Sequence, residues 1–218
     1  MATDGSSATA TDTFTLTVTN ANDAPTVENA IADQTLAEDS ALNFQFASDV
    51  FRDVDAGDSL TYTATLSDGN TLPSWLSFDA ASRTFSGTPL NGDVGAIDIT
   101  VMATDGSSAT ATDTFTLTVT NTNDAPTVTS SETMSVDEDV AYSYTFVASD
   151  VDVGDTLTLA APTKPSWLSF NTATGVLSGT PSNDDVSTHA VVLTATDASG
   201  AADTQSFNIT VSNVNDVP

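Results

Sequence analysis

The chain is predicted to be all-β, built as tandem seven-stranded Greek-key β-sandwiches, and three observations predict it. Residues 1–27 return as residues 102–128 with a single change, Ala21 becoming Thr122. A period of about one hundred residues is too long for a helical solenoid and suits a seven-stranded sandwich module. Apolar residues alternate with threonine at period two, and no stretch shows a convincing helical period. Asp-Gly, Gly-Asp and Gly-Thr-Pro turn signals separate these stretches at regular spacing, which favours antiparallel hairpins over crossover helices.

Taken along the chain, Phe14–Val18 reads Phe-Thr-Leu-Thr-Val, a half-buried strand with β-branched residues on both faces. Leu42–Phe46 repeats the alternation as Leu-Asn-Phe-Gln-Phe, Leu60–Leu66 extends it over seven residues, and Ile97–Val101 carries it in Ile-Asp-Ile-Thr-Val. Phe115–Val119 repeats the first strand letter for letter, and Tyr142–Phe146, Val191–Ala195 and Phe207–Val211 supply the second module's counterparts. Trp75 and Trp167 each follow Pro-Ser and precede Leu-Ser-Phe. They are expected to plug the core beneath a sheet edge, the competing reading being a platform for stacking sugars.

Further blocks recur in the same order. Asp53-Val-Asp-Ala-Gly-Asp58 answers Asp150-Val-Asp-Val-Gly-Asp155, Pro73–Phe78 answers Pro165–Phe170, and Ser86-Gly-Thr-Pro89 answers Ser178-Gly-Thr-Pro181. Ala103-Thr-Asp105 and Ala195-Thr-Asp197 follow, then Asn121-Thr-Asn-Asp124 and Asn213-Val-Asn-Asp216. The expected organisation is a terminal strand pair of a preceding repeat over residues 1–21, one module over 22–124 and a second over 125–218. Each full module is long enough for its own core. The leading segment cannot bury its apolar face alone. Because it duplicates residues 102–121, it either exchanges into another copy of the chain or stays frayed.

Thirty acidic residues against Arg52, Arg83 and Lys164 give a formal net charge of −27, which excludes nucleic acid and anionic membrane as natural partners and points to cations. Charged residues are nevertheless only 15% of the chain and hydrophobic ones 39%, so the composition is globular and the acids must act by being concentrated locally. No apolar run approaches membrane-spanning length, so no membrane insertion is expected. Without cysteine, no disulfide frames the fold.

The acids are grouped. A Greek key places the loops carrying Asp53, Asp55 and Asp105 at the incoming end of a module, and Glu38, Asp39, Asp93 and the closing Asn121, Asn123 and Asp124 at its outgoing end. Consecutive modules would therefore bring an outgoing cluster against an incoming one. Carboxylates about 4 Å apart repel by about 1 to 4 kcal/mol per pair as the effective dielectric falls from that of water to near 20, so such a cluster calls for a counter-cation. An all-oxygen set without His or Cys suits calcium, which takes six to eight such ligands in loose geometry. A polar turn serving only solubility is the competing reading of Asp-x-Asp-x-Gly-Asp. An EF-hand is excluded: counted from Asp53, the fifth place is Gly57 and the twelfth Ala64.

Taken together, Asn-Asp-Ala-Pro, the early Glu-Asp, Asp-x-Asp-x-Gly-Asp, Ala-Thr-Asp and Val-Thr-Asn-x-Asn-Asp resemble the cadherin repeat. Pro-Ser-Trp-Leu-Ser-Phe with Ser-Gly-Thr-Pro resembles its dystroglycan-type cadherin-like branch, found in secreted bacterial adhesins and polysaccharide-degrading proteins. The resemblance spans both full modules and implies calcium ions between successive modules, stiffening an extracellular or cell-surface extension. Matched by motif, one junction would use Glu38, Asn121, Asn123 and Asp124 with Asp150, Asp152 and Asp197. The earlier one would use Asn20, Asn22 and Asp23 with Asp53, Asp55 and Asp105, and Glu138, Asn213, Asn215 and Asp216 repeat the outgoing set. The family's linker acid is replaced by Asn121 and its last asparagine by Ala125; its Asp-Arg-Glu block is missing, with Asp93 and Asp185 the nearest substitutes. These departures imply fewer ions per junction and weak affinity, roughly 0.1 to 1 mM.

Catalysis finds little support. His189 has no counterpart in the first module and is expected at the surface, and carboxylates that recur at module ends suit an ion site better than glycoside hydrolysis. The expected partners are calcium ions and neighbouring repeats, with polysaccharide or another copy of the chain as the alternative.

Overall fold

A computed structural model describes residues 1–55 and 57–215. Among them the chain forms two compact units. The first comprises Met1–Leu36, Ser40–Pro89 and Gly95–Val119; the second comprises Ala37–Asp39, Leu90–Val94 and the chain from Thr120 onward.

In the first unit, β1 (Ala2–Thr3) and β2 (Thr9–Ala10) form a short hairpin, and β3 (Thr26–Val27) follows. Next come β4 (Gln34–Ala37), β5 (Leu42–Gln45), β6 (Phe51–Arg52) and β7 (Thr61–Leu66). The last strands are β8 (Leu76–Asp79), β9 (Thr84–Gly87), β10 (Gly95–Thr104) and β11 (Thr110–Thr120). A four-stranded sheet in the order β4-β11-β10-β7 packs over a three-stranded sheet β5-β9-β8, with β3 and β6 as a small separate pair. Alternation does the sorting: along β10, Ile99, Val101 and Ala103 are fully buried while their neighbours are half-buried. The core is aromatic-rich, with Phe85 edge-on to Phe115 at 5.5 Å and tilted against Phe78 at 4.6 Å between ring centres.

The second unit repeats this plan with β12 (Thr127–Val128), β13 (Ser135–Asp137), β14 (Tyr142–Thr145), β15 (Ala148–Ser149) and β16 (Thr158–Thr163). β17 (Leu168–Asn171), β18 (Val176–Gly179), β19 (Thr188–Thr196) and β20 (Ala202–Ser212) complete it. The sheets run β13-β20-β19-β16 and β14-β18-β17, closing on Leu177, Leu193 and Ile209, all fully buried. The sandwich is not wholly antiparallel: β13 pairs with β20 in parallel.

Two expectations are corrected. Phe14–Val18 is not in a strand; Phe14, Leu16 and Val18 are 87%, 78% and 86% exposed. The identical Phe115, Leu117 and Val119 are 2%, 1% and 3% exposed because β4 and β10 flank them, so strand formation here follows from partners and not from local sequence. His189 is half-buried on β19; its ring stands edge-on to Trp167 at 6.0 Å and Nε2 donates to the Asp185 carbonyl at 2.7 Å. Trp75 and Trp167 do pack against their units' cores, and Trp167 also stands edge-on to Tyr142.

Candidate metal centre

Each unit gathers carboxylates from loops that hairpin geometry fixes. Asp105 closes β10, and its Oδ1 accepts the backbone N–H groups of Ser107 and Ala109, both at 2.8 Å, tying the turn into β11. Asp197 holds the matching turn through Ala201. With one oxygen committed to the turn, the other faces the linker: Asp105 Oδ2 accepts Asn22 Nδ2 at 3.0 Å, and Asp197 Oδ2 accepts Asn123 Nδ2 at 2.8 Å. These amide contacts, with the turn N–H groups, hold both carboxyls below their ordinary value.

The Asp-x-Asp loops are built alike. Asp53 Oδ1 accepts the Asp55 N–H at 2.9 Å, and Asp150 Oδ1 accepts the Asp152 N–H at 2.9 Å. Asp55 Oδ2 receives the Asp23 N–H and Asp152 Oδ2 the Asp124 N–H, each at 2.8 Å. One oxygen on each leading aspartate is left over: Asp53 Oδ2 and Asp150 Oδ2 are buried with no hydrogen-bond partner.

In the second unit a glutamate joins them. Glu38 is 1% exposed; its Oε1 accepts the Thr122 N–H at 2.8 Å, while Oε2 has no partner. Ligand oxygens of Glu38, Asp124 and Asp152 lie within 4.8 Å of one another. Asp150, Asp152 and Asp155 form an overlapping triad, and Asp53, Asp58 and Asp105 form a triad in the first unit. Partial burial, then repulsion from Asp152, Asp39 and Asp150, pushes the Asp124 carboxyl above its ordinary value. Asp58 is raised in the same way by burial and by Asp53, Asp105 and Asp55. The Arg83 and Lys164 side chains donate to the Phe46 and Leu168 carbonyls.

The structure thus brings together Glu38, Asn123, Asp124, Asp150, Asp152 and Asp197 in the second unit. In the first it brings together Asn20, Asn22, Asp23, Asp53, Asp55 and Asp105, with Asn20 Nδ2 on Asp55 Oδ1 at 2.6 Å. Asn121 lines a groove with Asn123, Asp152 and Asp155. Glu138 repeats the Glu38 geometry: it is 2% exposed, Oε1 accepts the Val214 N–H at 2.6 Å between Asn213 and Asn215, and Oε2 is unpartnered. Asp216 lies outside the described residues.

Asp93 stands apart from the triads. Its Oδ2 accepts the Leu90 N–H at 2.9 Å and closes the 3-10 turn Asn91–Asp93, as Asp185 does for Ser182, so it belongs to no carboxylate triad among the described residues. Asp58 and Asp155, which close the Asp-x-Asp-x-Gly-Asp motif but stand outside the motif-matched ligand sets, join the triads, and Asn91, which stands outside them too, recurs as Asn183 in the same turn.

No curated protein sequence matches the chain. Solved structures with a similar fold include mouse Cadherin-23 EC22-24, at 17% identity over 89% of this chain and 67% of that one, with TM-score 0.55. The protocadherin GammaB4 extracellular domain aligns at 21% identity over 86% of this chain, with TM-score 0.52. An endo-fucoidan hydrolase from glycoside hydrolase family 107 matches at 24% identity over 88% of this chain, with TM-score 0.40. The chain spans 34% of the protocadherin's length and 29% of the hydrolase's. No helix among the described residues is long and apolar enough to cross a membrane. Residues 24–120 and 125–212 each match one family over a full repeat, and the chain belongs to that family, He_PIG (Putative Ig domain), in two consecutive copies.

Proposed function

We propose that the chain is a calcium-binding tandem of cadherin-like sandwiches, serving as a calcium-stiffened extension or adhesion region of a secreted or cell-surface protein. The observation that carries this reading is Glu38 Oε2, a buried carboxylate oxygen without a partner beside Asp124 and Asp152. A buried acceptor left unsatisfied costs about 1–3 kcal/mol, and more when charged. A hard divalent cation satisfies it, and the surrounding donors are all oxygen, which matches calcium's preference. Glu38 is held through one oxygen and Asp152 through both, and lone pairs remain on each for the ion. The ion would join three stretches of chain, Ala37–Asp39, Thr120–Asp124 and Asp150–Asp155, and so restrict the linker. The cadherin ectodomains with this fold lend support at the level of architecture. No residue set for catalysis is proposed.

Calcium titration followed by thermal unfolding and small-angle scattering, with magnesium as control, tests this. Calcium at about one hundred times its dissociation constant should add about 2.7 kcal/mol of stability and stiffen the particle. Glu38→Gln removes a buried charge, so it should leave ion-free stability unchanged or higher while losing most of the calcium increment. No response to calcium at several times the roughly 1 mM upper end of extracellular sites would overturn the reading.

A further inference from the structure

We infer that Asn91 is the positioning residue of this site, a neutral side-chain donor that fixes Asp152 for the cation; the inference rests on the calcium reading above. Asp152 is 8% exposed and both its oxygens are held: Oδ2 by the Asp124 N–H at 2.8 Å and Oδ1 by Asn91 Nδ2 at 2.9 Å. The other anchors are backbone. Thr122 N–H fixes Glu38 and Asp152 N–H fixes Asp150, so Asn91 is the side-chain donor on the Glu38, Asp124 and Asp152 triad among the described residues.

In the first unit the matching aspartate is held by a different amide. There Asp55 Oδ1 takes its amide from Asn20 in the linker, at 2.6 Å. In the second unit Asn121 stands at the position matching Asn20 and instead lines a groove of about 270 Å³ beside Asp152 and Asp155. Here Asn91 holds the aspartate while Asn121 lines the groove. Asp93 makes this possible by capping the turn at Leu90, so that the 3-10 turn presents Asn91 in one orientation. A carboxylate with both oxygens tethered offers its remaining lone pairs in fixed directions, whereas an untethered one must be ordered when the ion arrives. Outer partners of this kind are worth about 10–100-fold in metal affinity. An acid at position 91 would forfeit the donor and add another negative charge beside Asp152.

Isothermal titration of the full chain with calcium chloride, paired with thermal unfolding in chelator and in saturating calcium, decides the matter. Asn91→Ala should weaken calcium binding by about tenfold or more. Its loss of unfolding temperature should be larger in calcium than in chelator. The isosteric Asn91→Asp, which cannot donate, should weaken binding as well. Equal dissociation constants for wild type and Asn91→Ala, with the same loss of stability in both conditions, would reduce Asn91 to a structural turn residue and overturn the inference alone. Tighter binding by Asn91→Asp would make position 91 a ligand position and overturn it too. A wild-type chain that takes up no calcium would sink the calcium reading itself.

Discussion

Gly87 and Gly179 show how a single residue ties two sequence motifs together. Each ends a strand of the three-stranded sheet, and a Cβ there would overlap the backbone carbonyl of Trp75 or Trp167, just before the neighbouring strand. The Ser-Gly-Thr-Pro block therefore needs glycine because the Pro-Ser-Trp-Leu block passes against it. The close approach also seats the tryptophan over the core, where Trp167 meets Tyr142 and His189 edge-on. Gly179→Ala must push that strand outward, and such overpacking costs about 1–3 kcal/mol. Urea unfolding should show a lower midpoint at an unchanged slope, together with altered tryptophan fluorescence. A wild-type midpoint would mean that the strand yields freely and that the glycine is dispensable.

At the scale of elements, the leading segment and β11 form a controlled comparison, since one sequence is exposed in the first place and buried in the second. Asp4 even repeats the Asp105 turn, accepting the Ser6 and Ala8 N–H groups at 2.8 and 2.9 Å. The turn is local and forms alone; the strand needs neighbours. Exchange of this segment into another copy would displace an identical strand, exposing as much apolar surface as it buries, about 1.5–3 kcal/mol per large side chain on each side of the balance. Light scattering should therefore give a monomer mass independent of concentration, and removal of residues 1–19 should leave the unfolding temperature unchanged. A concentration-dependent dimer abolished by that deletion would reverse this. The same comparison explains what the sequence disclosed. Alternation exposed the long strands of the four-stranded sheets, because β10, β11, β19 and β20 each bury one face. It left β3, β6, β12 and β15 invisible, since two residues carry no period. The charged ligand candidates were legible because carboxylates clustered in repeated loops are conspicuous. Asn91 was not, because a neutral amide on a one-turn helix acquires meaning only when folding sets it against Asp152.

For the molecule as a whole, a net charge of −27 raises the question of whether calcium acts at sites or merely as counter-ion atmosphere. The two differ in range. Diffuse repulsion between exposed acids is screened over a Debye length of about 10 Å at 0.1 M salt and about 3 Å at 1 M. Carboxylates with ligand oxygens within 4.8 Å of one another, some with buried unpartnered oxygens, are too close and too dry for that atmosphere to enter. Sodium chloride should therefore raise the unfolding temperature gradually and without saturation as the diffuse term fades. Calcium should add a saturable step on top, at concentrations too low to alter ionic strength. Within that step, Glu38→Gln should flatten the calcium response while leaving the sodium slope as it is, because Glu38 belongs to the short-range term. If sodium chloride at matched ionic strength reproduced the whole calcium effect, the acids would act only as a screened surface.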